Sequence, residues 1–150
     1  MQNSPEIEFV TVLIADQLFG LPISRVHDVF MVDRLTRVPL APPEIAGILN
    51  LRGRVVTMID MRCRLDLPAR EEGRGNMAVG IEHRGESYGL LIDSVGEVLK
   101  ISAASRDPNP VNLDPRWARV AEGVVQLEDR LMVVLDVERV PELKTLGLAA

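Results

Sequence analysis

The sequence predicts a mainly β protein made of two small subdomains that resemble each other. Three observations lead to this prediction: short β-branched runs separated by turn residues, an internal repeat, and an aromatic content of only 3%. With so few aromatic side chains, the core has to be built from Val, Ile, Leu and Met. These residues, the β-branched ones above all, are well suited to strands.

The first half of the chain contains four strand candidates. Asp16-Gln17 turns the chain between the first two, which we expect to form a hairpin, and Arg52-Gly53 turns it before the fourth. Pro43 allows a short helix to begin after the third, because proline is tolerated in the first turn of a helix. The four candidates are Ile7 to Ile14, Leu18 to Ile23, Val26 to Val32 and Val55 to Ile59.

The second half repeats this organisation. Arg84-Gly85-Glu86 predicts another hairpin turn, and residues 102–115, rich in Pro, Asn and Asp, predict a long connection. The charged, glycine-containing residues 67–76 predict a solvated loop between the halves. Residues 137–148 predict a C-terminal helix that Pro141 interrupts. The strand candidates are Met77 to Ile81, Tyr88 to Ile92 and Leu131 to Leu135.

Two blocks of sequence recur in the same order. Phe19 to Val29 aligns with Tyr88 to Val98, 69 residues further along, and keeps its aromatic residue, Gly, Leu, Ile, two Val and acid in place. Gly47 to Leu51 aligns with Gly123 to Leu127, 76 residues further along. The repeat predicts two copies of one plan with about five short strands each, a number that suits a small barrel. Because a barrel of about 60 residues has little core of its own, we expect the halves to pack together beside a groove.

Composition excludes several classes of function. A net charge of −5 with interspersed signs argues against nucleic acid as a partner, because binding a phosphate backbone requires clustered Lys and Arg. The N-terminus has no signal-peptide pattern, and no apolar run reaches the roughly 20 residues that span a bilayer. The single cysteine, Cys63, excludes an internal disulfide and agrees with a reducing compartment. We therefore expect a cytoplasmic protein that does not insert into the membrane.

No pattern of catalytic or metal-binding residues is found. Zinc sites need three or four ligands, whereas His27, His83 and Cys63 are far apart in the sequence. Asp60 and Asp136 match in the repeat, but each follows an apolar strand, where an acid commonly caps the next turn. The sequence therefore predicts no catalytic residue, no metal and no cofactor. An enzyme or ligand-binding barrel remains an alternative if these acids and His27 converge around the groove.

Several motifs resemble those of one family, the CheW-like domains. Phe19 to Ile23 followed by Val26 to Val29 resembles the family's aromatic-Gly-Ile stretch and its Val-x-Glu-Ile motif. Gly47 to Gly53 resembles the Gly-x-x-Asn-Leu-Arg-Gly signature. Val55 to Met61 resembles the strand Val-x-Pro-Ile-x-Asp-Leu, with threonine where proline is usual. The resemblance runs over residues 7–143.

The resemblance implies two five-stranded SH3-like β-barrels packed on each other, with a few short helices. It implies a single domain over residues 7–143, with subdomains of about 7–67 and 76–140 and a possible exchange of terminal segments. Residues 1–6 and 144–150 would be tails.

The function that the resemblance implies is that of a non-catalytic adaptor in signal transduction. Such proteins couple chemoreceptors, the methyl-accepting chemotaxis proteins, to a CheA-type histidine kinase. The expected partners are the regulatory domain of the kinase and the cytoplasmic tip of the receptor, in arrays at the inner face of the membrane. A coupling protein of a related pathway for pilus motility or development is an alternative.

Nine positions are predicted as partner contacts, four of them from the resemblance. Asp28 and Arg52 would supply complementary charges beside an apolar anchor, Val26, unless the two charges pair with each other on the surface. Asp28 stands where the family usually has the longer Glu, which leaves partner choice open. Val26, Asp28, Gly47 and Arg52 match family positions implicated in kinase or receptor contact, Asn50 shares the turn of Arg52, and Ile92, Val95, Val98 and Leu99 are expected on the groove side.

Overall fold

The computed structural model describes residues 5–68 and 77–141 and is mainly β, as the sequence predicts. Two short α-helices, α1 (Met61–Arg64) and α2 (Pro115–Ala118), and two 3-10 turns accompany the strands. The strands are β1 (Glu6–Ile14), β2 (Gln17–Pro22), β3 (Asp28–Met31), β4 (Ile45–Leu51), β5 (Arg54–Asp60), β6 (Met77–His83), β7 (Glu86–Ile92), β8 (Ser94–Ser102), β9 (Arg106–Asp107), β10 (Ala121–Gln126) and β11 (Leu131–Leu135).

The predicted hairpins are confirmed, and two predicted helical segments are wrong. β1 pairs with β2, and β6 with β7, in antiparallel register. The short helix predicted after Pro43 is instead strand β4, because Ile45 and the residues after it pair with β5. A turn in which the Ile45 amide donates to the Pro42 carbonyl leads directly into this strand. Residues 137–141, where the C-terminal helix was predicted to begin, form a turn that Asp136 caps. Residues 142–148 of that helix and residues 69–76 of the predicted loop lie outside the described residues.

Each sheet contains strands from both halves of the sequence. The six-stranded sheet A has the order β8-β1-β2-β11-β10-β9, and the five-stranded sheet B has the order β3-β6-β7-β5-β4. β2 joins β11, and β7 joins β5, through parallel pairing. The halves therefore exchange their first two strands, and the sheets do not coincide with the subdomains of about 7–67 and 76–140.

The strand registers reproduce the sequence repeat. Thr57 lies opposite Tyr88 in sheet B, and Val133 lies opposite Phe19 in sheet A. The 69-residue offset equates Phe19 with Tyr88 and the 76-residue offset equates Thr57 with Val133, so the two pairings are equivalent. Both sheets also have a bulge at the matching glycine, Gly47 in one and Gly123 in the other. The internal repeat predicted from sequence is therefore a structural repeat.

The largest apolar cluster lies between the two sheets. It combines side chains of sheet A, such as Phe19 and Leu21, with side chains of sheet B, such as Ile59 and Leu90. Two smaller clusters belong to one sheet each, around Met132 in sheet A and around Met58 in sheet B. Burying one aliphatic side chain contributes roughly 1.5–3 kcal/mol. The seam between the sheets is therefore the main source of stability, and it is filled rather than open.

Two ion pairs hold the ends of this seam. Arg62, in α1, donates from Nε and Nη2 to both carboxylate oxygens of Asp93, which follows β7, at 3.0 and 2.6 Å. At the matching end of sheet A, Glu138 pairs with Arg25, which follows β2, so the charges are reversed. The Arg25 guanidinium lowers the pKa of the Glu138 carboxyl. Each pair connects one sequence half to the other.

Replacing Gly47 by alanine tests the bulge of β4. The new Cβ would lie 2.7 Å from the Thr36 carbonyl oxygen, on a backbone with φ +155°. We expect the free energy of unfolding to fall by about 2–4 kcal/mol, measured by urea denaturation. Gly53→Ala is the control, because Gly53 has φ +83° but nothing within 4 Å, and it should lose only about 1 kcal/mol. Equal losses would contradict the role of crowding at Thr36.

Candidate protein-binding site

Two of the predicted contact residues meet at one pocket of sheet B. Asp28 begins β3, and Arg52 lies in the turn between β4 and β5. Both line an open pocket of about 230 Å³ on this sheet. The remaining lining consists of His27, Phe30, Leu51, Arg54, Val56, Gly80, Ile81, Ser87 and Tyr88. Its charged side chains thus come from two stretches of sequence that are more than twenty residues apart.

The turn that presents Arg52 is shaped by its neighbours. Leu51 pairs with Arg54, which leaves a two-residue hairpin turn whose central residues both have positive φ, 55° at Arg52 and 83° at Gly53. The Asn50 side chain accepts a hydrogen bond from the Gly53 amide at 2.8 Å and so fixes the turn. Asn50, predicted as a contact residue, therefore positions the exposed guanidinium of Arg52.

Asp28 depends on a glycine that the sequence analysis missed. Gly80 lies opposite Asp28 in the register of β3 and β6, and an Asp28 carboxylate oxygen occupies the space that a Cβ at Gly80 would need. The His27 amide also donates to the Gly80 carbonyl at 2.8 Å. A glycine inside a predicted strand is a signal of such close approach, and it could have identified this position.

The acid and the base of this pocket are not paired with each other. Within residues 5–68 and 77–141, no ion pair of 4.0 Å or less joins Asp28 to Arg52. Arg54 donates from Nη1 to the Ser87 hydroxyl at 3.3 Å, and His27 Nε2 lies 3.9 Å from a carboxylate oxygen of Glu82. The pairing that the sequence analysis left open is therefore absent; Arg52 is exposed, and Asp28 is half-buried beside Gly80.

Exposed apolar side chains lie beside these charges. Val26, the predicted anchor, is only half-buried, but it packs against the seam between the sheets. Its neighbours are more exposed: Val29 and Met31 on β3, and Ile23 in the preceding 3-10 turn. β3 is one of the two edge strands of sheet B. The edge therefore offers an apolar surface that sequence reasoning assigned to Val26 alone.

The other predicted contact residues lie in different parts of the structure and differ in exposure. Ile92 is 1% exposed in the seam core, so its assignment to a partner-binding surface is wrong. Gly47 is buried at its bulge and has no side chain to offer. Val95, Val98 and Leu99 lie on β8, the edge strand of sheet A, where Val98 is exposed and the other two are half-buried. These three residues are therefore not on the sheet that carries Asp28.

The polar residues of the enzyme alternative have structural roles. Asp60 accepts hydrogen bonds from the Arg62 and Cys63 amides at the start of α1, and Asp136 accepts one from the Glu138 amide. Both therefore cap turns, as their positions after apolar strands predict. Burial raises the pKa of the Cys63 thiol despite its two arginine neighbours. Among the described residues, no three His, Cys, Asp or Glu side chains are grouped to hold a metal ion.

The part of the chain that the structure describes contains no helix able to span a membrane.

Comparison with known proteins gives consistent matches over nearly the whole chain. The family model described as CheW-like domain matches residues 8–144. The chain is 28% identical to the chemotaxis protein CheW of Helicobacter pylori, over 92% of this chain and 83% of that protein. It is 32% identical to Protein FrzA of Myxococcus xanthus, over 83% of this chain and 78% of that protein. The crystal structure of the scaffolding protein TtCheW from Thermoanaerobacter tengcongensis is similar, with a TM-score of 0.83, 28% identity, and coverage of 93% of this chain and 95% of that one.

A double-mutant cycle tests the contact between Asp28 and Gly80. Gly80→Ala should lower the free energy of unfolding by about 1–3 kcal/mol, because the new methyl group displaces the Asp28 carboxylate. In an Asp28→Ala background the same change should cost much less, since the next contact, Phe30 Cε1, lies at an ordinary 3.5 Å. Urea denaturation of the four proteins measures this coupling. Additive losses would show that the two residues do not constrain each other.

Proposed function

We propose that this chain, which belongs to the CheW-like domain family, is a non-catalytic adaptor that couples chemoreceptors to a CheA-type histidine kinase. The observation that carries the proposal is the pocket of sheet B, where Asp28 and Arg52 lie together without forming an ion pair with each other, beside the apolar residues Phe30 and Leu51. A relative in the family is named a scaffolding protein, and others are named chemotaxis proteins, which supports the same role.

The pocket has the components of a specific protein interface. Arg52 and Arg54 would receive acidic side chains of the partner, and Asp28 would receive a basic one. Opposite charges of this kind fix the register of a complex and exclude partners with the wrong charges. Phe30 and Leu51, which line the pocket together with these charges, would supply the apolar area on this face, whereas Val29, 40% exposed, lies on the opposite face of the edge strand β3. We assign this surface to the regulatory domain of the kinase.

A coupling protein needs a surface for a second partner, the cytoplasmic tip of the receptor. β8 is the edge strand of sheet A and the repeat equivalent of β3. Val98, which matches Val29 in the repeat, is 48% exposed. We propose Val98, with the half-buried Val95 and Leu99, as apolar contacts for the receptor. The complex would lie in the cytoplasm, at the inner face of the membrane.

A second candidate is an adaptor of a related pathway for pilus motility or development. The specific observation in its favour is the 32% identity to Protein FrzA, a relative that is not named as a chemotaxis protein. The binding chemistry would be the same in both cases. Binding measured against the receptors and kinases encoded next to this gene distinguishes them.

Arg52→Ala should weaken binding to the kinase regulatory domain by at least tenfold, about 1.4 kcal/mol, because a charge at the centre of the interface is removed. Isothermal titration calorimetry with the isolated regulatory domain measures the change. The melting temperature should not change, since Arg52 is exposed.

Arg34→Ala is the matched control for this measurement. Arg34 is also exposed and lies between β3 and β4, but it is not part of the pocket lining. Its replacement should leave the affinity within twofold of the unchanged protein. If Arg52→Ala binds the kinase domain as tightly as Arg34→Ala does, the assignment of the pocket is incorrect.

A further inference from the structure

A groove of about 740 Å³ runs between the loop of residues 38–43 and the adjacent strands of sheet B. Most of its lining is apolar. The loop contributes Val38, Pro39, Leu40, Ala41, Pro42 and Pro43, and β4, β5 and β7 contribute Ile45, Ile48, Thr57, Glu86 and Tyr88. Its volume is within the range of sites that hold a ligand or a group of side chains.

Leu40 is held in this loop at a double energetic cost. Its side chain is fully exposed, at 105% of the reference area, and its backbone has a φ of 62°, which a residue other than glycine rarely adopts. Strained, solvent-exposed apolar residues of this kind are concentrated at binding sites. Three prolines, at 39, 42 and 43, restrict the loop before any partner arrives, so little conformational entropy is lost on binding.

One end of the groove is acidic. Glu86 lines it and accepts a hydrogen bond from the Tyr88 hydroxyl at 3.4 Å. The adjoining cleft is lined by Glu82 as well as Glu86. Arg54 also lines that cleft, so two carboxylates stand against one guanidinium and the charged lining remains net negative. Two carboxylates beside an apolar groove favour a partner with aliphatic side chains and a positive charge at this end.

The groove and the pocket of Asp28 are on opposite faces of sheet B. Successive residues of a strand point to opposite faces. On β5, Val56 lines the pocket of Asp28 whereas Thr57 lines the groove, and on β7 the same holds for Ser87 and Glu86. Tyr88 alone contributes to both linings. Two partners can therefore occupy the two faces at the same time.

We propose that this groove is a further docking surface, for an amphipathic segment of a partner protein whose aliphatic side chains contact Leu40 and whose Lys or Arg lies beside Glu86. The surface is distinct from the two edge strands used in the proposed function. It gives the adaptor a third contact, on the face opposite the kinase pocket.

The test is a titration of the full chain, labelled with ¹⁵N, with a synthetic amphipathic peptide that carries leucines on one helical face and lysines beside them. We expect saturable shifts at the amides of Leu40, Thr57 and Glu86. A second peptide with glutamate in place of lysine should bind at least tenfold more weakly. A third, with serine in place of leucine and the same charge, should not saturate.

Four variants of the chain locate the binding. Leu40→Ser should lower the affinity for the leucine–lysine peptide at least tenfold, and Glu86→Gln should lower it several-fold. Val111→Ser is the matched control, because Val111 is equally exposed, at 105%, but lies in a different loop, between β9 and α2. Arg52→Ala tests the other face. Neither control should change the affinity.

Two results would overturn the proposal. One is the absence of saturable binding, and the other is an equal loss of affinity in Leu40→Ser and Val111→Ser, which would mean non-specific adsorption. Neither of these results depends on the outcome of the kinase-binding measurement. Arg52→Ala can weaken kinase binding whether or not the groove takes the peptide, so failure of one proposal is distinguishable from failure of the other.

Discussion

Packing between the two sheets is the constraint on which the rest of the structure depends. Each sheet is completed by strands of the opposite half, since β2 joins β11 and β7 joins β5. The side chains between them form the largest apolar cluster of the described residues. Neither half can form its sheet without the other, and the edge strands β3 and β8 are left on the outside. The surfaces available to partners follow from this exchange.

The charged pocket depends on local backbone geometry rather than on strong interactions between its charges. Asn50 and Gly53 set the turn that exposes Arg52, and the missing side chain of Gly80 makes room for Asp28. Elsewhere, charges with a structural role are paired, as Arg62 is with Asp93. An acid and a base held close to each other without pairing remain available to a partner, because no existing ion pair has to be broken first.

Local signals in the sequence predicted the hairpins and the capping acids, because each depends on neighbouring residues, and comparison of the two halves predicted the repeat. The family resemblance implied a possible exchange of terminal segments, but the hydrophobic pattern alone could not show which strands exchange, because the matching strands of the two halves have the same pattern. Ile23 and Ile92 show the limit of the repeat: they match in sequence, yet one is 42% and the other 1% exposed. Strand β4 was missed because Pro43 favours a helix start, whereas pairing with β5 decides the outcome. The glycine at position 80 signalled a close approach, but its partner, Asp28, is more than fifty residues away and could not be identified from the local sequence.

The exchange of strands also has a consequence for folding during synthesis on the ribosome. Every strand of sheet B has been translated once β7 has left the exit tunnel, so that sheet can form early. The β1–β2 hairpin is made first, but the neighbour of β2 is β11, the last strand of the described chain. Until β11 emerges, one edge of β2 has unpaired backbone groups, which favours association with other nascent chains. The N-terminal hairpin therefore waits for its strand neighbour longer than any strand of sheet B does.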